Sequence, residues 1–138
     1  MKLVLDASVA VKWVIPENDT PKALSLRNDL GNQVHEAIAP DTFPVEVAHA
    51  LTRAERKGIL QQREAIIKLA DVLTTALHLH HSIPLLARAV EISSQARIGV
   101  YDCLYLALAE RELCDLVTAD QRLAAFGHPN VILLANLP

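Results

Sequence analysis

Short apolar runs that stop on an acidic residue constrain this chain more than any other feature. Lys2–Leu5 runs straight into Asp6, and Leu116–Thr118 is followed after one residue by Asp120. Short apolar runs separated by helix-like stretches predict parallel strands buried on both faces. Right-handed crossovers carry the carboxyl ends of such strands to one edge, where open α/β sheets bind ligands. Asp102 opens the apolar stretch YDCLYLALA, and Glu46 lies in PVEVAHAL, each near the start of a predicted helix. Four carboxylates gathered at one edge repel one another strongly unless a cation holds them. An all-oxygen donor set favours Mg2+ or Mn2+, and such a centre does phosphate chemistry.

The elements follow from periodicity and punctuation. Lys2–Leu5 predicts a strand, and Ala7–Val14 a helix stopped by Pro16. Thr20 as N-cap and Pro21 at the first helical position start a helix that runs to Leu30 and ends at Gly31. A second strand spans His35–Ala39. Asp41 or Thr42 caps the next helix, whose apolar stripe is Val47, Ala50, Leu51 and Ala54, with Gly58 beyond its end. Gln61–Leu79 reads as one long amphipathic helix. Ser82-Ile83-Pro84 starts another that runs to Ala96, and Tyr101–Leu113 is the next. Leu116–Thr118 predicts a strand, Ala119–Phe126 a short helix and Val131–Leu134 the last strand. The resulting order, β-α-α-β-α-α-α-α-β-α-β, predicts an α/β fold with a short central parallel sheet flanked by helices.

Each acid alone has an ordinary explanation. Asp6 can be an N-cap, Asp102 and Glu46 can be first-turn acids, and Asp120 can follow Thr118 as cap. Taken together they cannot all stay ionised around one pocket without a counter-charge. Other residues divide the same way. Arg53, Arg56 and Lys57 read as a solvated face, and could steer a phosphate backbone if their helix borders the acids. Lys12 and Trp13 could touch substrate, although Trp13 fits a core. Cys103 fits core packing. His78 and His81 have helical i,i+3 spacing conceivable for zinc, but an exposed helix C-terminus accounts for them. There is no glycine-rich phosphate loop and no G-x-S-x-G elbow. A phosphoacceptor receiver would carry paired acids near the first strand, and a haloacid-dehalogenase-type phosphotransferase would carry D-x-D there. This chain has D-A-S.

Length fits one domain spanning residues 1–138. A net charge of −3 gives no global attraction to nucleic acid, so any such substrate must be drawn by metal ions and local cations. No apolar run reaches the roughly 18–20 residues needed to cross a bilayer. The Met-Lys start lacks a signal-peptide pattern, which points to the cytoplasm and no membrane. At 51% hydrophobic residues, the chain calls for helices buried on several faces or for surface covered by a partner.

LVLDASVAVKW, PVEVAHAL, VYDCLYLALAE and LVTADQRL, in this order and spacing over nearly the whole chain, resemble a PIN domain. More narrowly the chain is similar to the VapC-type ribonuclease toxins of bacterial toxin–antitoxin pairs. The resemblance implies a PIN-like three-layer fold and a Mg2+- or Mn2+-dependent cut in RNA. It implies Asp6, Glu46, Asp102 and Asp120 as catalytic residues and metal ligands, with Ser8 and Thr118 as auxiliaries. Arg53 and Lys12 are the expected substrate contacts. A homodimer and a small antitoxin partner are also implied. Two positions depart from the family pattern: His49 stands where Asn is common, and Gln121 where a basic residue is common. Neither departure removes a metal ligand. Attack by water would leave a 5′-phosphate and a 3′-hydroxyl. A PIN-like module without catalysis, or one acting on DNA, is the alternative.

Overall fold

The computed structural model describes residues 1–138. Five parallel strands form one sheet: β1 (Lys2–Leu5), β2 (Glu36–Pro40), β3 (His78–His80), β4 (Asp115–Thr118) and β5 (Val131–Leu133). Their spatial order is β3-β2-β1-β4-β5, which makes β1 central. The chain leaves β1 toward β2 and β3, then returns across the sheet to β4. The order therefore reverses between β1 and β4, and in open sheets a crevice forms outside the carboxyl ends at such a point. Asp6 follows one of those two strands directly, and Asp120 follows the other after Ala119.

Seven helices flank the sheet: α1 (Ala7–Val14), α2 (Thr20–Gly31), α3 (Phe43–Arg56), α4 (Glu64–Val72), α5 (Leu86–Ala96), α6 (Val100–Glu112) and α7 (Gln121–Ala125). Leu3, Val4 and Leu5 are all buried, although successive side chains of a strand point to opposite faces. Both faces of β1 are therefore covered, as a parallel sheet requires. Residues Cys103–Ala109 of α6 are buried without a break, and the helix packs on β1, β2, β4 and α5. A helix apolar on every side is stable only when enclosed, which accounts for part of the chain's high hydrophobic content. On its own side, α1 packs on β4 and gathers α2, α3 and α4.

Residues 61–79 do not form one helix. Arg63 adopts a left-handed conformation (φ 70°), α4 ends at Val72, and His78–His80 is an edge strand paired to β2 with Ile38 opposite His78. The helix stops because its terminal groups find partners elsewhere. Thr74 Oγ1 donates to the Asp71 carbonyl, and Arg27 reaches from α2 to the Asp71 carbonyl (2.7 Å), the Asp71 carboxylate (2.9 Å) and Thr75 Oγ1 (2.8 Å). The same guanidinium lies 4.8 Å from the Trp13 ring centroid. His78 and His81 are thus not a helix end. Smaller differences occur at helix starts. Thr20 is the first residue of α2, with Asp19 before it, and its hydroxyl donates to the Lys12 carbonyl rather than capping. Ser82–Ala96 begins as a 3-10 turn at Ile83–Leu85 before α5.

The Arg27 clamp ties α1, α2 and the end of α4 together. Arg27→Ala is expected to lower unfolding stability by about 1.5–3 kcal/mol in urea titration. Lysine, lacking the planar fork, should restore little of it. An alanine variant as stable as the parent would show that the clamp contributes nothing.

Candidate active site

Asp6 leaves β1 with extended backbone and its carboxylate is almost enclosed, at 5% exposure. It makes no helix-capping bond. Its Oδ2 accepts from Ser8 Oγ (2.6 Å) and Thr118 Oγ1 (2.7 Å) instead. Those hydroxyls in turn accept from the next loop: Ala119 N–H donates to Ser8 Oγ, and Asp120 N–H to Thr118 Oγ1, both at 3.0 Å. Two hydroxyls thereby stitch the turn after β1 to the turn after β4. Burial raises the Asp6 pKa. The hydroxyl bonds oppose that rise, and Asp120 adds to it.

Glu46 sits in the first turn of α3. Its Oε2 accepts from Tyr105 Oη (2.7 Å) and Thr42 Oγ1 (3.1 Å). Thr42 stands at the cap position but spends its hydroxyl on Glu46 rather than on the helix. Burial, with Asp6 and Asp102 adding to it, pushes the Glu46 pKa up to about 7 against those bonds. Asp102 occupies the first turn of α6 and makes no side-chain hydrogen bond. Burial, then Asp6 and Asp120, raise it to about 6, with Arg122 acting weakly the other way. Asp120 caps α7, accepting from the Arg122 N–H at 2.9 Å. Its one ion pair, with Arg122 at 3.9 Å, involves a side chain 93% exposed and contributes little.

All four acids line one cleft of about 910 Å3, together with Ser8, His49, Arg53 and Tyr101. Thr118 lies beneath it, fully buried. Asp6, Glu46 and Asp102 make no ion pair with lysine or arginine. The chain answers its carboxylates with neutral hydroxyls, so the negative charge remains for a cation to meet. An all-oxygen set of this kind fits Mg2+ or Mn2+. No three of the acids surround one point at ligating distance.

Arg53 lines the cleft and makes no ion pair. Lys12 does not line it. Its ammonium meets Glu17 (3.1 Å) and the Asn18 carbonyl (2.9 Å) instead. Trp13 is buried, its indole N–H donating to the Ala23 carbonyl. Sequence reasoning passed over Tyr105 and Thr42. The signal for Tyr105 was available: it stands three residues after Asp102 in an apolar run, where a phenol must find a polar partner.

The geometry defines a class: a parallel α/β protein with uncompensated carboxylates at the switch point of its sheet. Residues 3–129 match the PIN domain family model. The chain is 32% identical over 126 residues to Ribonuclease VapC3 of Pyrobaculum aerophilum, covering 90% of this chain and 93% of that protein. It belongs to the PIN domain family, among the VapC proteins. A crystal structure of PAE2754 from Pyrobaculum aerophilum superposes with TM-score 0.71 at 21% identity, over 98% of this chain and 85% of that one. VapBC2 from Rickettsia felis, solved bound to a DNA fragment from its promoter, superposes with TM-score 0.62 at 18% identity, over 96% and 97% of the two chains. These solved structures share the PIN-like fold.

The raised acids carry a stability sign. Asp102 binds its proton more tightly folded than unfolded, so its contribution is fully present below about pH 4 and is lost as pH rises through about 6. In metal-free buffer, Asp102→Asn should be more stable than the parent by about 1 kcal/mol near pH 8, after discounting for solvent screening. The two should converge near pH 4. Thermal unfolding in EDTA at both pH values checks this, and a variant weaker at pH 8 would mean that Asp102 is a structural partner.

Proposed function

We propose that this chain is a metal-dependent endoribonuclease and the toxin half of a toxin–antitoxin pair. The observation that carries the proposal is the cleft in which Asp6, Glu46, Asp102 and Asp120 gather with no lysine or arginine on the first three. Membership of the VapC proteins supports RNA as the substrate. On this reading the four carboxylates hold Mg2+, with Mn2+ able to substitute. A divalent cation there supplies Lewis acidity, neutralising phosphate charge and making water a better nucleophile.

The side chains perform the remaining work. Ser8 and Thr118 fix the Asp6 carboxylate, so its orientation survives the arrival of a charged substrate. Tyr105 and Thr42 both bond Glu46 Oε2, leaving Oε1 without a hydrogen-bond partner in the protein. Arg53, unpaired on the rim, is placed to meet a backbone phosphate.

Apolar surface supports the partners. Ile83, Leu86 and Val90 share one exposed stripe, and Ile66 and Ile67 stand out from α4 at 68% and 67% exposure. A second copy of the chain and a small antitoxin are the proposed covers, in the cytoplasm. No helix is long and apolar enough to cross a membrane. Sedimentation of the purified chain at tens of micromolar is expected to show a dimer, and a clean monomer would remove that part of the proposal.

For the activity, purified protein should cut RNA with Mg2+ or Mn2+ and leave 5′-phosphate ends. Cleavage should stop in EDTA, and Asp6→Asn or Asp102→Asn should lower it by at least about a hundredfold. Cleavage unchanged by EDTA would sink the metal mechanism.

A further inference from the structure

The chain has five Phe, Trp and Tyr residues. Trp13, Phe43 and Tyr105 are buried, and Phe126 is 39% exposed and stacks on His128. Tyr101 differs from all of them. Its side chain is on a residue 63% exposed, its hydroxyl bonds nothing, and it meets neither another ring nor a cation. Yet it is not on open surface: it lines the acidic cleft, next in sequence to Asp102. It stands one helical turn before Tyr105, on the same side of α6. Tyr105 points down to Glu46, and Tyr101 lies on that side nearer the mouth. Across the cleft, α3 presents Val45, 70% exposed, with His49 and Arg53 one and two turns on.

An aromatic ring left in water beside a reaction centre gains most by covering a flat apolar partner. A nucleobase is such a partner. Bases inside a duplex already stack on one another, so the ring is offered only to a base that is splayed out. We propose that Tyr101 is a base-stacking residue, which selects an unpaired nucleotide beside the phosphate held at the acidic cluster. This rests on the ribonuclease reading above. The neutral ring adds no charge to the acids and takes none away. Stacking tolerates any base, so Tyr101 selects strand state, while His49 and Arg53 on the other wall meet the edge or backbone.

Anisotropy of a labelled, mixed-sequence single-stranded RNA of about 12 nucleotides tests it, with Mn2+ present. An Asp120→Asn parent keeps the RNA uncut. Adding Tyr101→Leu is expected to weaken binding about tenfold, while Tyr101→Phe, which keeps the ring, stays within about twofold of the parent. A duplex of the same composition should bind the parent more weakly and be indifferent to either change. Melting temperatures of both variants are expected to match the parent, as suits a residue 63% exposed, which separates lost stacking from lost folding. A leucine variant that holds the single strand as tightly as the parent overturns the stacking role and leaves the ribonuclease reading intact. A parent that binds neither RNA, alongside a wild-type chain that cuts none, overturns the ribonuclease reading and this inference with it.

Discussion

Negative charge without a protein counter-charge is the constraint on which this structure turns. Isolated ionised groups are not buried unless something meets their field. Here the chain meets it with hydroxyls: Ser8 and Thr118 on Asp6, Tyr105 and Thr42 on Glu46. A hydroxyl orients a carboxylate and softens its desolvation without cancelling its charge. An arginine in the same place would cancel that charge and remove the reason for a cation to bind. The raised pKa values of Asp6, Glu46 and Asp102 record the result, since metal-free acids in the cleft hold their protons longer than they would in water.

The fold makes that arrangement possible by separating rigidity from function. The switch between β1 and β4 opens a crevice at the carboxyl ends, and Asp6 N–H is itself bonded to the Val117 carbonyl across it at 3.0 Å. The floor of the cleft is therefore part of the sheet rather than a loop. Asp102 and Tyr105 ride on α6, whose middle is buried on every side and has little freedom to shift. Glu46 comes from a third direction, on α3, and only the Tyr105 bond joins its carboxylate to α6. That bond links two helices that belong to different groups around the sheet.

Much of this was legible in the chain. β1, α1 and β4 follow from apolar runs and the turn residues after them, and the gathering of the four acids follows from the parallel topology those runs require. What was not legible depended on distant partners. Helical periodicity from Gln61 onward continues past the real end of α4, where Arg27, 44 residues earlier in sequence, takes the Asp71 carbonyl. β3 is three residues long and rich in histidine. Nothing local marks it as a strand, and only its pairing to β2 makes it one. Lys12 illustrates the same limit at the site. Its charge suited a place in the cleft, but it lies outside the lining and meets Glu17 and the Asn18 carbonyl.

The distribution of charge also bears on how a polyanion would be received. The chain as a whole carries −3, and the cleft concentrates acid rather than base. Counterion release by lysine and arginine, which drives most nucleic-acid binding, has little to work with here. Arg53 is the one arginine in the cleft lining. On the proposed reading, attraction must come from the bound cation at the floor and from contacts that do not depend on charge at the rim. A neutral ring such as Tyr101 serves there because salt does not screen it and the acids do not oppose it. The cleft then discriminates by requiring its ligand to bring a phosphate and a free base to two places at once, rather than by collecting any polyanion that approaches.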